Sequence, residues 1–208
     1  MEKRERLLIS GLFISVIFRM SRVGIPCPVP VKLKRHLLVM TLIGEDGVAA
    51  PRLKNIDWEF YTLEERKDIF VQVQDIMCRM YKDCKLVHAD LSEFNLLLAG
   101  GKVYVIDVSQ AMDLSHPRNL HYLIRDIENV LAFFHKLEIP ELPTPVALFN
   151  LITDLAMTED GSLLVQVERF AEDNRLNSIN KSKPADFEWA AYNKERKERG
   201  ESPAREYN

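Results

Sequence analysis

The chain has 208 residues, of which 47% are apolar, 28% are charged and 9% are aromatic, and its formal net charge is −3. This balance is ordinary for a globular protein and excludes a wholly disordered chain. The slight acidic excess argues against a protein that binds nucleic-acid backbones non-specifically. The three cysteines form no C-x-x-C pair, which argues against a disulfide scaffold or a zinc module and favours a reducing compartment.

An apolar run over residues 7–18 follows a basic flank near the N-terminus and ends at Arg19. The run is shorter than the roughly 20 residues that a membrane-spanning helix needs. The flank and the run together resemble a secretory signal, but the Arg-Met-Ser-Arg that follows lacks the small residues of a cleavage site. We therefore expect a buried helix or strand here, within an apolar N-terminal segment, residues 1–23, that does not share the sequence resemblance described below for the rest of the chain.

The next stretch indicates extended structure. Three prolines alternate with other residues in residues 25–31, which forbids a helix and favours a loop or an edge strand. Residues 37–43 (LLVMTLI) form an almost unbroken apolar run, which is typical of a strand buried on both faces. The Gly-Glu-Asp-Gly sequence at residues 44–47 ends this run.

A capping-box sequence and an apolar stripe predict the longest helix. Thr62 and Glu65 have the spacing of a capping box, and apolar residues then recur at steps of three and four up to about Asp83. Two short apolar runs follow, separated by Ala-Gly-Gly-Lys, and predict an antiparallel hairpin. Further helices are expected over residues 121–135, 146–155 and, more weakly, 161–170.

Three oxygen-bearing side chains surround the predicted hairpin. Asp90 lies before it, Asn95 follows five residues later, and Asp107 lies at its far end. Because antiparallel strands return the chain to its starting point, these residues can converge. Asn95 and Asp107 suit magnesium, which usually takes one or two carboxylates together with substrate phosphates, and Asp90 can accept the proton of an attacking hydroxyl. Ordinary roles as turn and cap residues remain the alternative for each of them.

The spacing H-x-D-x-x-x-x-N followed by Asp matches the catalytic and metal loops of the protein-kinase-like superfamily. The sequences HADLSEFN (88–95) and IDVSQ (106–110) resemble motifs of the RIO-type atypical serine/threonine protein kinases. The RIO1-like branch of that family is the best match, and the resemblance extends over residues 24–134. Typical kinases instead carry H-R-D and D-F-G.

The resemblance implies an α+β, protein-kinase-like fold that consists mainly of the helical C-lobe and the hinge. The expected parts are a residual N-lobe strand and hinge at 24–47, a C-lobe at 48–180, and a charged, largely flexible tail at 181–208. Neither a glycine-rich loop nor a strand lysine is found before the hinge, so a truncated N-lobe is expected.

The resemblance also implies a function. It predicts ATP- and magnesium-dependent phosphoryl transfer, with Asp90 as proton acceptor, Asn95 and Asp107 as magnesium ligands, and the backbone of Thr41 and Ile43 holding adenine. Asp107 is the position at which an aspartyl-phosphate would form. The resemblance further implies a cytoplasmic role in small ribosomal subunit maturation, with the pre-40S particle or its assembly factors as partners. No membrane association and no sequence-specific nucleic-acid binding are expected.

Two other functions stay open. Without the lysine that holds two phosphates, the chain could be a catalytically impaired scaffold that binds pre-ribosomal particles. It could also be a small-molecule phosphotransferase of the same superfamily, which shares H-x-D and the later Asp; Ala89, Ser92 and the Ser-Gln after Val108 argue against that reading. A hinge strand without a complete N-lobe is also expected to leave apolar surface exposed.

Overall fold

The computed structural model describes residues 14–34 and 37–174. Its helices are α1 (residues 14–22), α2 (Leu63–Lys82), α3 (Asn119–Lys136), α4 (Pro145–Thr153) and α5 (Leu163–Asn174). Its strands are β1 (Pro30–Lys34), β2 (Leu37–Met40), β3 (Gly44–Glu45), β4 (Val48–Ala49), β5 (Leu86–Val87), β6 (Leu96–Ala99), β7 (Lys102–Val105) and β8 (Met112–Asp113). The strands form four antiparallel pairs: β1 with β2, β3 with β4, β5 with β8, and β6 with β7.

The end of the N-terminal apolar run, for which a buried helix or strand was expected, forms the buried helix α1. Its side chains at Ile14, Val16, Ile17 and Met20 are buried, whereas residues 7–13 lie outside the described residues. The helix ends in a Schellman motif, in which the N–H of Ile25 donates to the carbonyl of Met20 over 2.9 Å. Gly24 has the positive φ of 76° that this motif requires.

The helices form the core together with strands β5, β6 and β7. Helix α2 has the predicted capping box, because the Thr62 hydroxyl accepts from the Glu65 N–H and the Glu65 carboxylate accepts from the Thr62 N–H. Helices α2, α3 and α4 pack against one another, and Phe134 of α3 and Phe149 of α4 are completely buried between them. These helices and the β6–β7 hairpin occur where the sequence predicted them, to within a few residues.

The hinge strand differs from its prediction. The expected strand over residues 37–43, buried on both faces, is shorter, and its Leu37 and Val39 side chains are 60% and 45% exposed. Strand β2 is bonded to β1, and the side chains of Val31, Leu37, Val39 and Met40 are exposed, whereas Leu33 and Leu38 are half-buried. An unbroken apolar run indicates burial only where a second layer covers the sheet. The exposed apolar surface expected near the hinge is therefore present.

The structure also bears on membrane association, and it leaves the C-terminal tail undescribed. None of the helices in the described part of the chain combines the length and the apolar character needed to cross a bilayer. The predicted charged tail, residues 181–208, lies outside the described residues.

Candidate active site

Helix α3 holds the loop that carries Asp90. The buried Asp126 carboxylate accepts the N–H of Ala89 over 2.7 Å and the N–H of Leu91 over 2.9 Å. The neighbouring Arg125 guanidinium donates to the Ala89 carbonyl oxygen and lies 3.9 Å from the Asp90 carboxylate. Ala89 is in the left-handed region, with φ at 64°. The residues on both sides of Asp90 are thereby fixed, and the Asp90 side chain points to solvent.

Asp126 is 1% exposed, and its burial raises the pKa of the carboxyl group to about 7, although its bonds to the two N–H groups oppose this shift. Our sequence reasoning missed both Asp126 and Arg125. The signal that could have found Asp126 is its place between Leu123 and Ile127, on the apolar face of the predicted helix. A charged residue on such a face needs a buried partner.

His88 joins the Asp90 loop to the loop that carries Asp107. Its Nε2 atom lies 3.3 Å from the Ile106 carbonyl oxygen, and because that oxygen can only accept, Nε2 carries the hydrogen. Burial lowers the pKa of the imidazole, so the ring is held in its neutral form. The Nδ1 atom is buried and has no hydrogen-bond partner among the described residues.

Asn95 contacts Asp90 directly. Its Nδ2 atom donates to the Asp90 backbone oxygen over 2.9 Å and to the Asp90 carboxylate over 3.2 Å. Because both donors of the amide point at Asp90, the amide oxygen faces away from Asp90. An amide oxygen is the only atom of asparagine that ligates a hard cation such as magnesium.

Asp107 is brought to the same place by the β6–β7 hairpin. Leu96 pairs with Val105, and the Ile106 N–H donates to the Asn95 carbonyl over 2.9 Å, so Asn95 and Asp107 lie at one end of the hairpin. Asp107 is exposed and adopts a left-handed φ of 54°. Strained backbone of this kind is frequent at functional sites. The Ser109 hydroxyl donates to Oδ1 of Asp107 over 2.7 Å.

At the predicted hinge positions, Thr41 and Ile43, each residue uses one backbone group in a hydrogen bond within the protein. The Thr41 N–H donates to the Val29 carbonyl, and the Ile43 carbonyl accepts from the Ala50 N–H, both over 2.9 Å. Within the described residues, the Thr41 carbonyl and the Ile43 N–H make no hydrogen bond. The free Thr41 carbonyl can accept a hydrogen bond from the amino group of adenine. The free Ile43 N–H can donate a hydrogen bond to a ring nitrogen of adenine.

The site residues also fit magnesium. The described residues contain no group of three or more His, Cys, Asp or Glu side chains that could hold a metal by themselves. Magnesium does not require such a group, since it usually takes one or two carboxylates and completes its shell with waters and phosphate oxygens. The structure thus brings Asp90, Asn95 and Asp107 to one end of the hairpin, and their roles remain predictions.

The chain matches the family model of the RIO domain over residues 14–146. The matched region begins at residue 14 and therefore includes part of the segment, residues 1–23, that we expected to lie outside the family resemblance. The chain is 62% identical over 194 residues to the serine/threonine-protein kinase RIO3 of Caenorhabditis elegans, covering 91% of this chain and 38% of that protein. Identity is 44% over 162 residues to human RIO3, covering 78% of this chain and 30% of the relative, and 42% over 145 residues to human RIO1, covering 70% and 25%.

The solved structures agree on the fold. The Rio2 kinase of Chaetomium thermophilum, in a complex with ADP, Mg²⁺ and phosphoaspartate, superposes with a TM-score of 0.58 at 19% identity. It covers 93% of this chain and 55% of that structure, and a second structure of the same kinase gives a TM-score of 0.53 at 20% identity.

These similarities define a protein-kinase-like fold, as predicted. The chain belongs to the RIO family of serine/threonine-protein kinases. It spans 38% or less of the length of the curated relatives named above.

Proposed function

We propose that the chain binds ATP with magnesium and carries out RIO-type phosphoryl transfer at the hairpin end that carries Asp90, Asn95 and Asp107. The observation that carries this proposal is the contact of the Asn95 amide with Asp90, next to the strand register that brings in Asp107. Magnesium would neutralise charge on the phosphates. Family membership and the ADP, Mg²⁺ and phosphoaspartate found in the Rio2 structure support the choice of ligands.

Each residue has a role that its contacts support. Asp90 accepts the proton of the attacking hydroxyl, and the fixed loop around it keeps its carboxylate in place. The amide oxygen of Asn95 and the carboxylate of Asp107 hold the cation. The Thr41 carbonyl and the Ile43 N–H bind the adenine edge.

Asp107 can also act as the nucleophile. The Ser109 hydroxyl occupies Oδ1, so Oδ2 is the oxygen available to attack the γ-phosphorus of ATP. A bond then forms between Oδ2 and phosphorus, the bond from phosphorus to the β–γ bridging oxygen breaks, and ADP leaves. Attack of water on the aspartyl-phosphate returns the carboxylate and releases phosphate. By family membership alone, we further propose that this cycle acts on the pre-40S particle in the cytoplasm.

The test is a measurement of magnesium-dependent ATP hydrolysis and of hydroxylamine-sensitive labelling by γ-labelled ATP, using the 208-residue chain. We expect Asp90→Asn to slow hydrolysis by about 100-fold or more, as loss of a proton acceptor does, and Asp107→Asn to abolish the label. Asp160→Asn, an exposed aspartate in the loop before α5, is the control and is expected to change neither.

A wild-type chain that binds no nucleotide in the presence of magnesium would contradict the proposal and favour the scaffold alternative. Labelling that survives Asp107→Asn would remove Asp107 as the acceptor. Transfer of the γ-phosphoryl group of ATP to the hydroxyl of a small molecule, with release of ADP, would favour the phosphotransferase alternative.

A further inference from the structure

An ion pair joins helix α1 to the strands next to the candidate active site. Arg19 of α1 places Nη1 2.6 Å from the Asp113 carboxylate, and the two side chains are only 19% and 22% exposed. The same Nη1 also lies 3.4 Å from the Cys84 carbonyl oxygen. The pair connects residues 94 positions apart in the sequence. Because both charges are mostly out of water, loss of either one leaves the other poorly solvated.

Asp113 lies in the short ladder that joins the two loops of the site. It belongs to β8, where it pairs with Leu86 of β5. Strand β5 leads directly into His88 and Asp90, and β8 begins five residues after Asp107. Arg19 therefore acts on a ladder whose strand β5 leads into Asp90 and whose strand β8 follows the loop that carries Asp107.

The chain after Arg19 leads to the hinge. The Arg79 guanidinium donates to the Val23 carbonyl at the end of α1. The Pro26 carbonyl accepts from the N–H of Val105, two residues before Asp107, over 2.9 Å. Val29 then exchanges two hydrogen bonds with Thr41 of the hinge, one of them to the Thr41 hydroxyl. The segment from residue 19 to residue 29 is thus bonded to β8 at one end, to β7 in its middle and to the hinge at its other end.

We propose that Arg19 and Asp113 are positioning residues that set the separation between the adenine-binding hinge and the phosphate-side residues Asp90 and Asp107. This inference rests on the proposed function. Phosphoryl transfer depends on how ATP is placed against the magnesium ligands, and a misplacement of about 1 Å costs roughly 100-fold in rate. The pair acts through the β5–β8 ladder and touches neither nucleotide nor metal.

The experiment compares Arg19→Met, Arg19→Lys and Lys82→Met. Lys82 forms an ion pair of the same 2.6 Å length with Asp154, between α2 and the end of α4, with side chains 36% and 73% exposed, and is the control for loss of a more exposed ion pair away from the ladder. We expect Arg19→Met to slow magnesium-dependent ATP turnover by about 10-fold to 100-fold and to leave adenosine affinity within about threefold. Arg19→Lys keeps the charge and is expected to restore most of the turnover. Lys82→Met is expected to change neither quantity.

Amide hydrogen exchange gives a readout that does not depend on activity. In Arg19→Met, exchange is expected to become faster at β5, β8 and Val105 but not in α2. Exchange at β5 and β8 no faster than in Lys82→Met would overturn the proposal. A loss of adenosine affinity as large as the loss of turnover would also overturn it, since it would indicate a general loss of structure.

Asp113→Asn is the second variant and tests the same ion pair if Arg19→Met does not fold. Asparagine removes the charge of Asp113 but keeps an oxygen that can accept a hydrogen bond from Arg19. It is expected to show the same selective loss of turnover. If the wild-type chain binds no nucleotide, the proposed function fails, whereas the exchange comparison still decides whether Arg19 orders the ladder.

Discussion

Asp126 has no proposed contact with nucleotide or metal, but it holds the loop that carries Asp90. Its two carboxylate oxygens bind the N–H groups on either side of Asp90, and Arg125 binds the Ala89 carbonyl in between. An unpaired buried N–H group costs about 1–3 kcal/mol. Asp126 therefore determines the shape of the loop from which Asp90 extends.

The raised pKa of Asp126 predicts a pH dependence of stability. Burial raises the pKa of the carboxyl group from its ordinary value of 3.8 to about 7, so between these values the folded chain holds a proton that the unfolded chain releases. The free energy of unfolding therefore falls as pH rises through this window, by about 1.4 kcal/mol per pH unit at most, and levels off above it. Asp126→Asn lacks this contribution.

Urea denaturation from pH 4.5 to pH 8, conditions chosen to bracket the window, measures this effect. The difference in unfolding free energy, wild type minus Asp126→Asn, is expected to decrease as pH rises. Asp160→Asn serves as the exposed control. A difference that stays constant or grows with pH would show that Asp126 is ionised throughout.

At the residue scale, the sequence predicted Asp90, Asn95 and Asp107 as neighbours because they flank one hairpin, and local spacing then determines which residues meet. The apolar face of helix α3 could have marked Asp126 as a buried charge, but the sequence could not predict which loop Arg125 and Asp126 hold, because that loop lies more than 30 positions away. Our sequence reasoning missed the Arg19–Asp113 pair for the same reason. Contacts of this kind depend on how separate elements pack, and local periodicity carries no information about that.

At the element scale, the β1–β2 pair exposes several large apolar side chains close to one another in the sequence. Leu37 and Val39 of β2 and Val31 of β1 all expose large apolar side chains. Contiguous exposed apolar surface on strands with open edges promotes association. The apolar surface of β1 and β2 is therefore expected to make the chain self-associate as its concentration rises.

Replacement of Leu37 and Val39 by lysine is expected to weaken this association and to lower the binding of an apolar dye. Because both side chains are already exposed, the free energy of unfolding should change by about 0.5 kcal/mol or less. Val71→Lys on α2 replaces a single, equally exposed apolar side chain and is the control. Analytical ultracentrifugation measures the association. An unchanged association constant in the double variant, or an equal decrease in the control, would contradict the prediction.

The elements also show where sequence patterns suffice. Helix α2 follows its capping box and apolar stripe because both signals are local and agree with each other. The β6–β7 hairpin follows from its glycine-rich turn. The apolar run of β2 predicted a strand buried on both faces, and this prediction was wrong. An apolar run indicates only that burial is favourable, because the layer that covers the strand has to come from elsewhere in the structure.

At the scale of the whole molecule, two sets of groups have to act on one nucleotide. The hinge offers the Thr41 carbonyl and the Ile43 N–H, and the hairpin end offers Asp90, Asn95 and Asp107. Membership of the RIO family follows from the comparisons and does not by itself show that these groups meet around ATP. The central claim is that they do.

The most direct test is a crystal structure of the chain with ADP and Mn²⁺, in which anomalous scattering locates the metal. Our account predicts one Mn²⁺ bound by the amide oxygen of Asn95 and the carboxylate of Asp107, with adenine at Thr41 and Ile43. A metal bound by other side chains, or a nucleotide bound away from the hairpin end, would contradict it.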